Sequence, residues 1–314
     1  MKGYILNRLL TLIPTLLIVA TVGFLLIHLA PGDPVALMLG EEADLRDVEL
    51  LTRQLGLDQP ILVQLVRWYG RLFRGDLGYS LFLHRPVLTA IMDRLECTLL
   101  LTLYALLISV VLGVILGIIA AVKQNTTIDQ AAMLVSLVGL SMPSFWLGLM
   151  LIWLLALGVR WFPSSGYVPL AEGVVANLRS LFLPSLTLGF IGAAPIARMV
   201  RSSMLEVLNL EYIRTARAKG LKERSVILSH AFRNALIPAV TMVGMTVGGL
   251  IAGAIIVETV FALPGVGRLV ISSIARRDFP AIQGVLIFTA TVFVVVNLVV
   301  DILYVYLDPR VKYL

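Results

Sequence analysis

The stretch TLLLTLYALLISVVLGVILGIIAAV, residues 98–122, decides the fold class of this chain. Apart from Tyr104, it contains no ionisable side chain. A helix that crosses a bilayer needs about 20 consecutive, mostly apolar residues, and this stretch exceeds that length. We therefore predict that residues 98–122 form a transmembrane helix.

Five further segments meet the same criterion of length and apolar composition. They are Leu9–Leu29, Ala131–Leu157, Leu181–Ala197, Ala235–Val257 and Ala281–Leu307. The first is longer than the apolar part of a secretory signal, so we expect it to stay uncleaved. The chain is 59% hydrophobic and 14% charged, whereas soluble domains carry about 25% charged residues. We predict an all-α, polytopic membrane protein with six transmembrane helices.

The distribution of Lys and Arg predicts how these helices are oriented. With a cytoplasmic N-terminus, the inside segments hold 13 of the 25 Lys and Arg residues, including all five lysines. Short cytoplasmic loops carry such an excess, so we predict that both termini are cytoplasmic. The predicted parts of the chain are an N-terminal helix (1–30), an extracytoplasmic helical loop (31–97), a transmembrane domain (98–307) with a cytoplasmic loop (198–234), and a cytoplasmic tail (308–314).

Several functions are disfavoured by what the sequence lacks. The spans are nearly free of charge, which argues against an ion-coupled secondary transporter. No G-x-x-x-x-G-K-[ST] motif is present, so the chain is not expected to bind ATP itself. Cys97 is the single cysteine, and His28, His84 and His230 lie in different regions, so we predict no metal site. The net charge of +6 is attributed to loop bias rather than to nucleic-acid binding. A secondary transporter and a membrane enzyme or scaffold remain as rival hypotheses.

Four glycines cluster in the fifth span at Gly244, Gly248, Gly249 and Gly253. Small residues four apart allow helices in lipid to approach closely. The pattern is typical of helix packing, and it is also compatible with a narrow translocation path or a subunit interface.

The loop 198–234 is predicted to contain two helices separated by a break. Residues 204–218 contain neither Gly nor Pro, and Gly220 is a plausible helix stop. A second helix is predicted from Leu221 to Pro238. Alone, this composition is also compatible with a solvated basic loop.

The outside loop contains an amphipathic pattern in VQLVRWYGRLF, residues 63–73. Leu65, Trp68, Tyr69 and Leu72 recur at helical spacing. Arg67, Arg71 and Arg74 are predicted to lie on the opposite face of this helix. The helix could lie on the membrane interface or meet a protein partner.

The order of residues in the 198–234 loop resembles the E-A-A loop of binding-protein-dependent ABC importer permeases of the dipeptide, oligopeptide and nickel group. The resemblance is carried by EYIRTARAKGL (211–221) and RNALIP (233–238), and further by HLAPGDPV, LGLDQP, GDLGYS, SMPSFWLG, RSSMLEVL, VETVFALPGVGR and LVVDILYVYLDPR. Arg214 and Thr215 depart from the general pattern, which has glutamate and alanine there.

The resemblance implies a type-1 permease fold, and it implies the following roles. The element that docks on an ATPase subunit comprises Glu211, Tyr212, Arg214, Thr215, Ala216, Arg217, Ala218, Lys219, Gly220 and Leu221. Residues that would meet a solute-binding protein are Trp68, Tyr69, Pro264 and Gly265. The expected partners are a second homologous permease, two ATP-binding subunits and an extracytoplasmic solute-binding protein. The ATP-binding subunits would hold ATP and Mg. The chain is expected in the bacterial inner membrane. The expected cargo is short peptides, with nickel chelates, glutathione or opines as alternatives.

Overall fold

The computed structural model describes residues 2–29, 35–36 and 44–307. The predicted tail 308–314 and parts of the outside loop, 30–34 and 37–43, lie outside the described residues. The α-helices are α1 Lys2–Leu29, α2 Leu45–Leu55, α3 Ile61–Leu72, α4 Val87–Val122, α5 Thr127–Ser141, α6 Ser144–Leu151, α7 Val174–Leu208, α8 Glu211–Ala218, α9 Glu223–Ser225, α10 Phe232–Val260, α11 Val266–Ala275 and α12 Phe279–Leu307. Short strands β1 (Tyr79–Ser80) and β2 (Arg85–Pro86) pair antiparallel, with Tyr79 opposite Pro86.

Among the described residues, five continuous helices are long and apolar enough to cross a membrane, and a bent pair brings the number to six. The continuous spans lie in α1, α4, α7, α10 and α12. The second helix begins at Val87 instead of Thr98 and therefore takes in the last part of the predicted outside loop.

The third predicted span, Ala131–Leu157, is not one straight helix. Helix α5 forms the first part. Helix α6 and the π-helical turn at Ile152–Gly158 form the second. The axes of these two parts meet at 108°. The break lies at Met142, whose φ of −78° and ψ of 130° are extended, immediately before Pro143. Proline disfavours the helical conformation at the residue before it, and the prediction of one continuous helix over this segment was therefore wrong.

The fourth span is longer than predicted and is the most buried. Helix α7 runs for 35 residues through Pro184 and Pro195. In its most apolar window 72% of the residues are buried, against 17–33% for the other continuous spans. Close packing with α4 contributes to this burial. A Cβ added at Gly117 would lie 2.7 Å from Val200 Cβ, and one added at Gly189 would lie 2.7 Å from Ile108 Cβ.

The chain divides into two compact units, residues 1–96 with 265–295 and residues 97–264 with 296–314. The first unit has an apolar core that includes Val87, Ile91, Leu269 and Val285. It also contains α11, a helix that we did not predict because its ten residues are too few to give a spanning signal. The second unit contains α5 to α10 and two apolar clusters, one of which surrounds α8.

Candidate functional site

Helix α8 covers the first eight residues of the segment 211–221, for which the family resemblance implies docking on an ATPase. Helix α7 ends at Leu208, and α8 starts three residues later at Glu211, so the predicted continuous helix 204–218 is interrupted. Gly220 ends α8 with a φ of +76°, a conformation that glycine adopts without a Cβ penalty. Leu221 N donates to Ala216 O and Gly220 N donates to Arg217 O, the paired bonds of a Schellman motif. The predicted stop at Gly220 is therefore confirmed.

One face of α8 is built into the core of the second unit. Ile213 is fully buried and Ala216 is 7% exposed. They belong to one apolar cluster with Met204 of α7, Val226 of the next turn and Ala235 of α10. A movement of α8 must therefore displace residues of α7 and α10, because close-packed interiors transmit displacement rather than absorb it.

The other face of α8 is open. Among the predicted docking residues Ala216 is buried, and the exposed ones are Glu211, Tyr212, Arg214, Thr215, Arg217, Ala218, Lys219, Gly220 and Leu221. Tyr212 of α8 and Leu221, just after its end, expose 40% and 42% of their surface. Aromatic side chains and arginines are enriched at protein interfaces, and this surface offers Tyr212, Arg214 and Arg217.

Polar bonds tie α8 to the segment that follows it. The Tyr212 hydroxyl donates to His230 O at 3.2 Å and accepts from Asn234 Nδ2 at 2.8 Å. Arg217 donates through Nη2 and Nε to the two Glu223 oxygens, at 2.7 and 3.2 Å. Hydrogen bonding to Arg217 holds the pKa of Glu223 below its usual value, and the same bond raises the pKa of Arg217. The restarted helix passes through a π-helical turn at Val226–Ala231. It continues beyond Pro238 to Val260, further than predicted.

An ion pair near this site was missed by the sequence analysis. Arg201 of α7 donates through Nε and Nη2 to both oxygens of Asp129, at 2.7 and 2.8 Å. The backbone N of Asn125 donates to the same carboxylate at 3.0 Å. The partners lie 72 residues apart in the chain. The sequence signal was limited to a charged residue just outside each of two predicted spans, with nothing to pair them.

The four glycines of α10 do not share one environment. A Cβ on Gly244 would overlap Val300, and one on Gly253 would lie 2.9 Å from Leu188. A Cβ on Gly249 would meet no atom within 4 Å, and Gly248 is half-buried. Close helix packing thus accounts for Gly244 and Gly253, whereas Gly249 lies on an open face of α10.

The residues predicted to meet a binding protein differ in how exposed they are. Trp68 is 9% exposed and its ring lies 5.7 Å from that of Phe24, while the Tyr69 hydroxyl lies 2.7 Å from Thr21 Oγ1. The apolar face of α3 is therefore packed against α1, and most of Trp68 is buried in that contact. Pro264 is exposed and Gly265 is buried.

The described residues thus form a multi-span membrane protein with five or six candidate spans and a short inter-span helix that has one open face. Residues 113–313 match the family described as binding-protein-dependent transport system inner membrane component, and residues 1–102 match its N-terminal model. The chain belongs to this family, and it is the permease subunit of an ABC importer in a bacterial membrane.

Relatives match the whole chain. A Brucella abortus protein named as a peptide transport system permease is 46% identical over 313 residues, with 100% of both chains covered. The glutathione transport system permease protein GsiC of Salmonella typhi is 44% identical, and the dipeptide transport system permease protein DppB of Alkalihalophilus pseudofirmus is 42% identical, again with full coverage of both chains.

Solved structures show the same fold. An inward-facing structure of the MetNI methionine ABC transporter superposes with a TM-score of 0.55 at 19% identity, covering 67% of this chain and 93% of that one. An amino acid ABC transporter crystallised with histidines gives a TM-score of 0.50 at 18% identity, covering 71% of this chain and 94% of that one. The predicted type-1 permease fold is confirmed.

Proposed function

We propose that this permease forms half of a translocation path for short peptides and is driven by ATPase subunits that dock on α8. The observation that carries the proposal is the two-sided construction of α8. Its inner face, Ile213 and Ala216, is packed into the cluster of α7 and α10, while Tyr212 and Leu221 remain open on the outer face. A partner seated on the outer face can therefore move the membrane helices without touching them.

The expected cycle follows from this construction. Two ATPase subunits hold ATP and Mg, since this chain lacks a phosphate-binding loop. Their closure draws α8 and its counterpart in a second permease together, and the path opens to the outside. Hydrolysis then resets it. Arg217–Glu223 and Tyr212–Asn234 keep α8 attached to the following helix during this motion. Both termini are cytoplasmic in this scheme.

The open face of α10 is our candidate for the path or for the contact with the second permease, which we take to be a different chain. Met245, Gly249, Ala252 and Ile256 are all exposed and recur at helical spacing. Such a stripe in a membrane protein faces lipid, a partner helix or an aqueous path. In the full complex we expect Gly249 to let a helix of the second permease approach closely, which is the subunit-interface role predicted for the glycine cluster.

Short peptides are the proposed cargo because the relatives are named for peptides, dipeptides and glutathione. Nickel chelates and opines remain the alternatives within the same architecture. A solute-binding protein would deliver the cargo at the outside, where exposed Pro264 lies in our topology.

The test uses two glycines that both have a positive φ. Gly220 and Gly166 have φ values of +76° and +95°, and an added Cβ would meet no atom within 4 Å at either. A valine at either position costs on the order of 1–3 kcal/mol in backbone strain. Gly220→Val should abolish co-purification of the ATPase subunits and ATP-dependent peptide uptake, whereas Gly166→Val, in the loop before α7, should retain both.

Equal losses in the two variants would show that strain alone is responsible and would refute docking on α8. Deletion of residues 214–221 provides a second measurement. The six spans should still insert, as judged by protease protection, while ATPase binding is lost. Normal assembly and uptake by the deleted protein would overturn the proposal.

A further inference from the structure

A cavity of about 720 Å³ lies within the first compact unit, between α1, α2, α3 and the turn before β1. Four arginines line it: Arg53 at the end of α2, Arg67 and Arg71 on α3, and Arg74 in the turn that follows. In the proposed topology, residues 44–86, which belong to the outside loop before α4, are extracytoplasmic. The basic face of α3 therefore borders a concave space and is not simply a solvated surface.

The cavity has an excess of positive charge. Asp76 is the one acidic residue lining it within the described part of the chain, and its Oδ1 already accepts a bond from Gly78 N at 2.8 Å. Arg53 is paired with Glu49 at 2.6 Å. Arg67, Arg71 and Arg74 make no side-chain hydrogen bond or ion pair to residues 11–29, 35–36 or 44–307, so their guanidinium groups are available to a ligand.

The arginines are held on a fixed support. Tyr69 donates to Leu17 O at 3.1 Å and lies 2.7 Å from Thr21 Oγ1, and the Trp68 ring is packed against Phe24. These contacts fix the rotation of α3 relative to α1, and Trp68 and Phe24 themselves form part of the cavity wall. Arg67 and Arg71, four residues apart on α3, therefore line the cavity side by side.

We propose that this cavity binds the free carboxylate of a small peptide at the outer side of the permease, before the peptide reaches the translocation path. The planar guanidinium pairs with a carboxylate through two parallel hydrogen bonds. The volume lies in the range of small-ligand sites, roughly 300–1,000 Å³. Leu57, Leu77 and Tyr79 add apolar wall that would suit the peptide's side chains. The inference rests on the proposed peptide cargo.

A protein partner needs an interface of roughly 800 Å² on each side, so a concave site of this size favours a small ligand over an acidic protein surface.

The experiment uses the importer complex without its binding protein and without ATP, in nanodiscs of phosphatidylcholine. Equilibrium binding of radiolabelled Ala-Phe is compared with that of its C-terminal amide. The free acid should bind about 10-fold more tightly than the amide, the loss expected when a charged hydrogen-bond acceptor is removed.

The variants are Arg67→Gln with Arg71→Gln, compared with Arg160→Gln, an exposed arginine of the second unit. The double variant should weaken binding of the free acid by about 10-fold, to the level of the amide, and leave amide binding unchanged. The Arg160 variant should bind both ligands as the wild type does. Arg71→Lys should retain part of the preference, because it keeps the charge but not the planar fork.

Equal binding of acid and amide, or of the double variant and wild type, would overturn the proposal. So would displacement of the peptide by an equal concentration of inorganic phosphate, or binding seen only with the binding protein present. Failure of the proposed function would look different from failure of carboxylate binding. It would appear as a complex that lacks the ATPase subunits or that transports neither peptide form.

Discussion

The ion pair between α5 and α7 provides the sharpest test of how the second unit is held together. The Asp129 side chain is 6% exposed and accepts three hydrogen bonds, two from Arg201 and one from Asn125 N. Removing one partner of a buried pair costs about 3–5 kcal/mol. Because the Arg201 side chain is 27% exposed, water can solvate part of the orphaned charge. We therefore expect Asp129→Asn to cost about 3 kcal/mol, at the low end of that range.

The matched control is an exposed pair with the same bidentate geometry. Arg217 and Glu223 expose 43% and 54% of their side chains, so Glu223→Gln should cost at most about 1 kcal/mol. The assay is reversible unfolding of the purified permease in mixed micelles of increasing SDS fraction, followed by tryptophan fluorescence. The exchange Asp129→Arg with Arg201→Asp should recover part of the loss. A cost for Asp129→Asn no larger than for Glu223→Gln would refute the reasoning that burial sets the magnitude.

Two further outcomes are expected. Gly117→Ala should destabilise the permease by about 1–3 kcal/mol, because its Cβ would lie 2.7 Å from Val200 Cβ and from a backbone oxygen of α7, whereas Gly249→Ala should be neutral or slightly stabilising in the same assay. Equal effects of the two would contradict close packing of α4 on α7. Arg217 lowers the pKa of Glu223, so this pair stabilises the fold above the carboxyl's unfolded pKa, and the contribution is lost as the pH falls through the lower folded pKa. The stability difference between wild type and Glu223→Gln should accordingly shrink below about pH 4. A difference that grows on acidification would contradict the sign.

Much of the fold was predictable because it depends on local composition. Uncharged stretches such as residues 98–122 mark helices wherever they occur, since backbone groups in lipid must be bonded within the segment. The stop at Gly220 was equally local, because a left-handed φ of +76° favours glycine. The 108° bend before Pro143 could have been predicted from the same kind of rule, but the apolar run around it obscured the signal.

The sequence by itself determined that the chain spans a membrane, which family it resembles and that the helix before Gly220 ends there. Only the tertiary structure decided that Ile213 lies inside and Tyr212 outside, that Asp129 meets Arg201, and that Arg67 borders a cavity while Trp68 is buried. The physical reason is the distance along the sequence over which each interaction acts. Helix formation in an apolar medium depends on neighbours within a turn or two, whereas burial and ion pairing depend on which distant segments the packing brings together.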